Sequence, residues 1–498
     1  MVFSSLEFIF LFLPATYAGL LALTHFGRAR AAIVWLIVAS LFFYGYWEPK
    51  YLILISVSIL TNFALGPMID PSSGRTDRAR RGFLIAAIAF NLGLLAYFKY
   101  LNFFVDTVNA VAGAEYSIAR IILPIGISFF SFQQISYQVD RYKGLVDDRS
   151  FLNYVLFVIY FPQLIAGPIV HHKEMLGQFD EGRGFRLSLE NLCYGGAYFL
   201  IGLAKKTLIA DPLAVHANAV FAASEKGGTL TFADAWVGAL AYTGQIYFDF
   251  AGYSAMAIGL AAMIGVKLPL NFNSPYKSLS IQEFWRRWHI TLSRFLRDYL
   301  YIPLGGNRHG EQRRLVNLML TMLIGGLWHG AAWTFVVWGG LHGLYLVVNR
   351  AFDVAAARLA PGAMDAPAAK VASWCITFLA VVYAWVFFRA TSFDSAFAMV
   401  RAMSDPGAGT QAGAWTLSVV RLTNADAALF AIAAFFAAVA PNAAQLMNFR
   451  PGNTPVDAPA PLWPTWRPNV AWGVAIGVLG FFAILATQKN NEFIYFQF

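Results

Sequence analysis

The sequence predicts an all-α, multi-pass integral membrane protein, and three observations carry that expectation. Of its 498 residues, 58% are hydrophobic and only 13% charged, far from the balance of a soluble globular chain. Apolar windows close to the ~20 residues that cross a bilayer recur from one end to the other. The charges are gathered, too: from Lys267 to Arg314 there are nine Lys/Arg against three Asp/Glu, so this island carries +6 of the chain's +9.

The windows fall near residues 5–24, 31–47, 50–69, 82–104, 119–136, 151–170, 192–218, 234–264, 315–348, 371–389, 426–446 and 469–487. Roughly ten to thirteen membrane segments are therefore expected. Met1 to Ser5 lack a basic leader and no small-residue cleavage site follows, so the first window reads as a retained helix. The link after it carries Arg28 and Arg30, and the link after the third carries Arg75, Arg78, Arg80 and Arg81; between them lies only Glu48-Pro49-Lys50. Basic loops stay cytoplasmic, which puts the N-terminus outside and both 70–81 and the island inside. In 151–170, Pro162, Gly167 and Pro168 should kink the helix or make it re-enter. As one helix the run 315–348 would extend about 51 Å at ~1.5 Å per residue, against a hydrocarbon core of ~30 Å. A steep tilt, a break or two helices is expected, and six glycines between Gly325 and Gly343 make a break plausible. Residues 403–426 and 451–468 read as loops, and 356–369 as a surface excursion. No internal repeat and no soluble module stands out, so 1–498 reads as a single membrane domain.

Within the island, Ser280-Ile-Gln-Glu283 is a capping-box pattern, and 280–300 keep a helical period. Phe284, Trp285, Trp288, Leu292, Phe295 and Tyr299 share one arc; Arg286, Arg287, Arg294 and Arg297 lie opposite, with His289 at the border. Taken alone, that pattern describes an interfacial helix with aromatics in lipid and arginines in water. His329 is different. Its neighbours are apolar, small or aromatic, so its imidazole stays neutral, the form that accepts a proton. An ionisable group at membrane depth marks a functional site by default; the alternative is a histidine that only bonds backbone or hydroxyl groups between helices. His342 reads as structural, and His25, His171, His172, His216 and His309, near loops or span ends, as solvated. No His pair has i, i+4 spacing and no HExxH occurs, so no metal is expected. Cys193 and Cys375 lack paired spacing, which argues against a disulfide or a Cys-based metal site. Polar residues in the runs 133–138 and 245–254, among them Gln245 and Asp249, suggest a polar tunnel. Asp249 needs a cationic partner, and the basic island is its expected source.

A resemblance rests on MVFSSLEFIFLFLP at the start, ILPIGISFFSFQQISY at 122–137, FPQLIAGP at 161–168 and QIYFDFAGYS at 245–254. Most specific are FWRRWHITLSRFLRDYLYIPLGGNR at 284–308 and NLMLTMLIGGLWHGAAWT at 317–334. The chain resembles the membrane-bound O-acyltransferases of the bacterial alginate O-acetylation type, over essentially its whole length and least diagnostically over 351–470. That resemblance implies a helical funnel, with a thioester donor (acetyl-CoA) entering from the cytoplasm and the acceptor from the other side. His329 would be catalytic and His289 its second histidine. Trp328, Gln245, Asp249, Arg286, Arg287 and Arg294 would line the tunnel or hold the donor, whose phosphates suit arginines. No bound cofactor is expected and no nucleic-acid partner. A periplasmic SGNH-type acetyltransferase would pass the acetyl group to an exported polysaccharide at the inner membrane. Alginate is the first expectation; cellulose, peptidoglycan and teichoic acid are alternatives. Ala255 departs from the acidic residue expected after Gly-Tyr-Ser, leaving Asp249 as the only carboxylate of its segment. The tail 488–498 ends Phe493-Ile-Tyr-Phe-Gln-Phe498. By composition it is an aromatic tail at the membrane interface; by resemblance to F-x-Y-x-x-F termini of acyl-transfer systems, Tyr495 is a candidate acyl relay. Two rivals stay open: a transporter or flippase whose buried His and Asp relay protons, and a non-catalytic scaffold for a polysaccharide synthase.

Overall fold

The computed structural model describes residues 1–179, 185, 187–359, 362–408, 417–448 and 463–487, and every regular element among them is helical. Among the described residues, the α-helices of seven residues or more are α1 Leu13–His25, α2 Ala29–Gly45, α3 Tyr51–Ile69, α4 Asp77–Leu95, α5 Leu101–Ala112, α6 Ile127–Tyr142, α7 Phe151–Ile159, α8 Leu189–Ala204 and α9 Asp211–Glu225. They continue with α10 Phe232–Met263, α11 Ile281–Arg287, α12 Ile290–Leu296, α13 Gly310–His329, α14 Trp333–Leu359, α15 Pro367–Arg389, α16 Phe393–Ser404, α17 Asn424–Ala438 and α18 Val470–Ala486. Many starts are set locally. Thr76, Ser150, Ser188, Thr231, Ser280, Ser392, Thr423 and Asn469 each accept the amide three residues on, satisfying one of the orphan donors of a first turn. By length and composition, five described helices can cross a membrane: Phe8–His25, Tyr51–Ile69, Asp77–Ala112, Phe232–Met263 and Pro367–Arg389. Of the other expected segments, 119–136 is helical only from Ile127, and the rest are helices that are shorter, broken or lined with polar side chains.

Helices in lipid gain little from apolar contact alone, so close approach through small residues matters. The α8–α10 crossing shows it. Gly195 meets Gly259 and Gly202 meets Gly252; a Cβ on Gly202 would stand 2.6 Å from the Gly252 carbonyl oxygen. Backbones touch there with no room for a methyl group. The 315–348 run is two helices: α13 ends at His329, the chain turns through Gly330, and α14 runs back until Arg350 pairs with Glu311 (3.0 Å).

The basic links gather on one face. Asp70, after α3, pairs with Arg141 (3.3 Å) and Arg149 (3.4 Å), and Arg80 donates to the Tyr142 carbonyl (2.6 Å). Asp140 accepts from Tyr299 (2.7 Å) and meets His172 (3.2 Å). Arg294 grips Glu174 with both terminal nitrogens (2.6 and 2.7 Å). Removing one partner of a pair as buried as Asp70–Arg141 typically costs about 3–5 kcal/mol.

Residues 151–170 re-enter, as Pro162, Gly167 and Pro168 led one to expect: α7 enters from the basic face, the chain turns around Pro162–Gly167, and His172 returns to that face on Asp140 and the Leu145 carbonyl (2.9 Å). Two expectations change in detail. The 280–300 helix breaks at Trp288-His289, and its aromatic arc is buried in protein, not lipid. His172 and His216 are buried rather than solvated, His216 against Asp426 (3.0 Å).

Candidate active site

The break at 288–289 builds the site. Between α10 and α11 the chain runs outside regular structure as far as a single turn at Pro275–Lys277, and its backbone supplies what the broken helix loses. Asn273 N–H donates to the Arg287 carbonyl (2.9 Å), and Ile290 N–H to the Asn271 carbonyl (2.9 Å). His289 is held left-handed, at φ 42° and ψ 54°, a conformation costing a non-glycine residue about 1–2 kcal/mol and typical of sites where geometry outranks comfort. Its side chain is fully buried, edge-on to Phe250 (4.8 Å), and its Nδ1 lies 3.0 Å from Asn271 Oδ1.

His329 comes to the same place from the other direction. As the last residue of α13 it is buried among Trp328 (4.9 Å), Trp338 (5.0 Å) and Phe388 (5.3 Å), and its ring centroid lies 6.3 Å from that of His289. His342 packs one layer further, fully buried, its Nδ1 accepting from Trp285 (3.3 Å), which agrees with a structural role. Beside His329 lies a cavity of about 80 Å³ walled by Lys99, residues 123–129, Ile165, Ala166, Trp328 and His329. A water needs only about 10–15 Å³ by this measure, so a group of several heavy atoms fits. A second cavity, about 20 Å³, is lined by Lys205, Tyr247, Ser254 and Phe272. Phe272 also packs on His289 (6.3 Å).

Lys99 is the residue that the sequence reading missed. It sits on a π-helical turn, Ala96–Tyr100, between α4 and α5; such widened turns recur at functional sites. Its buried ammonium donates to the carbonyls of Trp328 (2.5 Å) and His329 (3.2 Å) and to Ser128 Oγ (3.4 Å). Tyr100 adds a bond to the Leu327 carbonyl (3.0 Å). The negative end of α13 is thus closed by a cation. One signal was present in the sequence, a lone lysine in LLAYFKYLNFF, and an intramembrane charge is reason enough to look.

The other expected site residues divide. Trp328 lines the larger cavity, stacked on Phe132 (5.2 Å). Gln245 is buried on α10. Asp249 is buried against Lys206 (2.8 Å), which also holds Asp211 (3.0 Å); its partner therefore comes from the turn between α8 and α9, not from the basic island. Arg287 bonds Glu283 (2.9 Å) and the Asn273 carbonyl (3.2 Å), Arg294 is committed to Glu174, and Arg286 is exposed. Two of the three expected donor-holding arginines are thus already engaged within the protein. Tyr495 lies outside the described residues.

Chemically, two buried imidazoles side by side at a cavity suit proton transfer to or from a hydroxyl. Comparison with known proteins bears on the chain as a whole. The family model of the membrane-bound O-acyltransferases matches residues 41–389. The probable alginate O-acetylase AlgI of Azotobacter vinelandii is 40% identical over 523 residues, spanning the whole of both chains. The peptidoglycan O-acetyltransferase of Helicobacter pylori is 43% identical over 429 residues, 81% of this chain and 80% of that one. The teichoic acid D-alanyltransferase of Streptococcus thermophilus is 28% identical over 243 residues, 46% of this chain and 57% of its own.

Proposed function

Since the chain belongs to the membrane-bound O-acyltransferase family and is an O-acyltransferase, we propose that it carries acetyl groups across the bacterial inner membrane for O-acetylation of an exported polysaccharide. The observation that carries this reading is the pairing of His289 and His329 beside a cavity walled by Lys99 and Trp328. Acetyl-CoA is the proposed donor, arriving from the basic, cytoplasmic face. The acceptor hydroxyl oxygen attacks the thioester carbonyl while His329 takes its proton. The C–O bond forms, the C–S bond breaks, and the departing thiolate receives a proton. A thioester is already activated, so a positioned base and a site for the developing oxyanion supply most of what is needed.

The acceptor is proposed to be Tyr495 or a hydroxyl of a periplasmic SGNH-type acetyltransferase, which acetylates the polymer. The full-length match to an alginate O-acetylase supports alginate. The 43% identity to a peptidoglycan O-acetyltransferase supports peptidoglycan as the second reading. Composition of alginate and peptidoglycan from a strain lacking the protein decides: the polymer that loses its O-acetyl esters is the acceptor. A His329→Ala strain tests the activity itself. Polymer export should continue without acetylation; arrested export would instead favour the transporter reading. For the relay, intact mass after incubation with acetyl-CoA should show an acetyl adduct that Tyr495→Phe lacks, and an adduct surviving in that variant would exclude Tyr495.

A further inference from the structure

Asn271 precedes His289 by eighteen positions, and its fully buried side chain meets three groups. Its Oδ1 lies 3.3 Å from Thr291 N, 2.9 Å from Thr291 Oγ1 and 3.0 Å from His289 Nδ1. A backbone N–H can only donate, so the atom facing it is the amide oxygen. An oxygen can only accept, so the imidazole nitrogen beside it carries the hydrogen. Thr291 points the same way: its oxygen accepts from Ile169 N–H at the re-entrant hairpin (2.9 Å), leaving its own hydrogen for Asn271. The chain of bonds runs from Ile169 to Thr291 to Asn271, where His289 Nδ1–H closes it. The other ring nitrogen, Nε2, is left with a lone pair, buried and with no hydrogen-bond partner among the described residues. Around the ring stand Phe250, Phe272, Trp328 and His329. Of these only His329 titrates, with the Lys99 ammonium behind it.

We infer that Asn271 is a positioning residue that locks His289 in the Nδ1–H form, so that its Nε2 accepts a proton or hydrogen bond and cannot donate one to an oxyanion. The inference rests on the acyl-transfer reading above and sharpens it. His289 becomes an alternative acceptor to His329 for the single proton of the incoming hydroxyl, and donation to the oxyanion must come from elsewhere in the cavity. Asn271 does for His289 what an orienting partner does for a general base, fixing the tautomer through the nitrogen that does not react.

Purified full-length protein, acetyl-CoA and a thiol-release assay provide the kinetic test. Asn271→Asp keeps an acceptor for all three donors and should retain kcat within about tenfold. Asn271→Leu keeps the bulk without the acceptor; kcat should fall about 100-fold, with the KM for acetyl-CoA unchanged. Thr291→Val cuts the network on the side away from His289, so it should lower the melting temperature and leave kcat nearly intact. Equal losses of kcat in Asn271→Leu and Thr291→Val would mean that Asn271 only holds the fold, and overturn the inference. So would full activity in Asn271→Leu. A second readout needs no substrate: ¹⁵N spectra of histidine-labelled protein, with His289 assigned from a His289→Gln difference. An unprotonated Nε2 sustains the tautomer even if acetyl-CoA proves the wrong donor; a protonated Nε2 overturns it.

Discussion

Two pairs of histidines lie in this molecule, and their surroundings could hardly differ more. His289 and His329 meet aromatic rings, an amide and each other, and no carboxylate contacts either ring among the described residues. His171 and His172 sit on the basic face in a mesh of carboxylates: His172 on Asp140, His171 on Tyr299, which itself donates to Asp140, with Glu174 and Arg294 alongside. The lesson is one of division of labour. The inner pair is set among rings and an amide at a cavity, where a proton can be exchanged; the outer pair is tied by hydrogen bonds and a carboxylate that fasten a loop.

Substitutions can break that comparison, and the largest effect belongs to the inner pair. His329→Ala should lower kcat about 10²- to 10⁴-fold at normal abundance, the usual worth of a general base, whereas His172→Ala should lower stability and leave kcat within about tenfold once folded protein is counted. Equal kcat losses in steady-state assays would erase the distinction. Next comes Lys99→Met, which strands the Trp328 and His329 carbonyls at about 1–3 kcal/mol per buried group. It should reduce both the melting temperature and kcat, because the turn it releases carries His329. A variant that melts early yet turns over normally would reduce Lys99 to a cap. Arg294→Met, which frees Glu174, should cost about 1–3 kcal/mol and leave the KM for acetyl-CoA alone; a raised KM would return Arg294 to donor binding.

The smallest effect is one of pH. Burial, helped by the Arg294 charge, holds the pKa of His171 below its usual value. The folded state therefore binds the proton less readily than the unfolded chain. Stability from this group is intact above the unfolded pKa of about 6.5 and declines as pH falls below it. Melting temperatures between pH 8 and 5.5 should show that decline, and His171→Gln should flatten it. An unaltered slope would place the titration elsewhere.

Much of this was legible in the chain, and the reasons for the rest are physical. Hydropathy located the helices, chain length against bilayer thickness required a break in 315–348, and Pro162, Gly167 and Pro168 foretold the re-entrant turn. The depth of His329 in uncharged sequence marked it directly. What local pattern could not show was a break in a helix whose period continues through it: Trp288 and Leu292 stay on one arc, and only the backbone of Asn271 and Asn273, far along the chain, makes the interruption affordable. The same holds for ion pairs. Asp249 advertises a need for a cation, but nothing local says that Lys206 answers it and not an arginine of the island.

The site draws on residues from Lys99 to Phe388, and that spread governs when it can exist. A membrane protein is threaded into the bilayer from its N-terminus, so Lys99 and Asn271 are in place long before α15 brings Phe388 against His329. Until then the imidazole lacks one wall. An unfinished chain, or one truncated before α15, therefore holds both histidines without the complete set of walls around them. Such products are expected to be inert, and the cell's thioesters are safe from them while the ribosome is still at work.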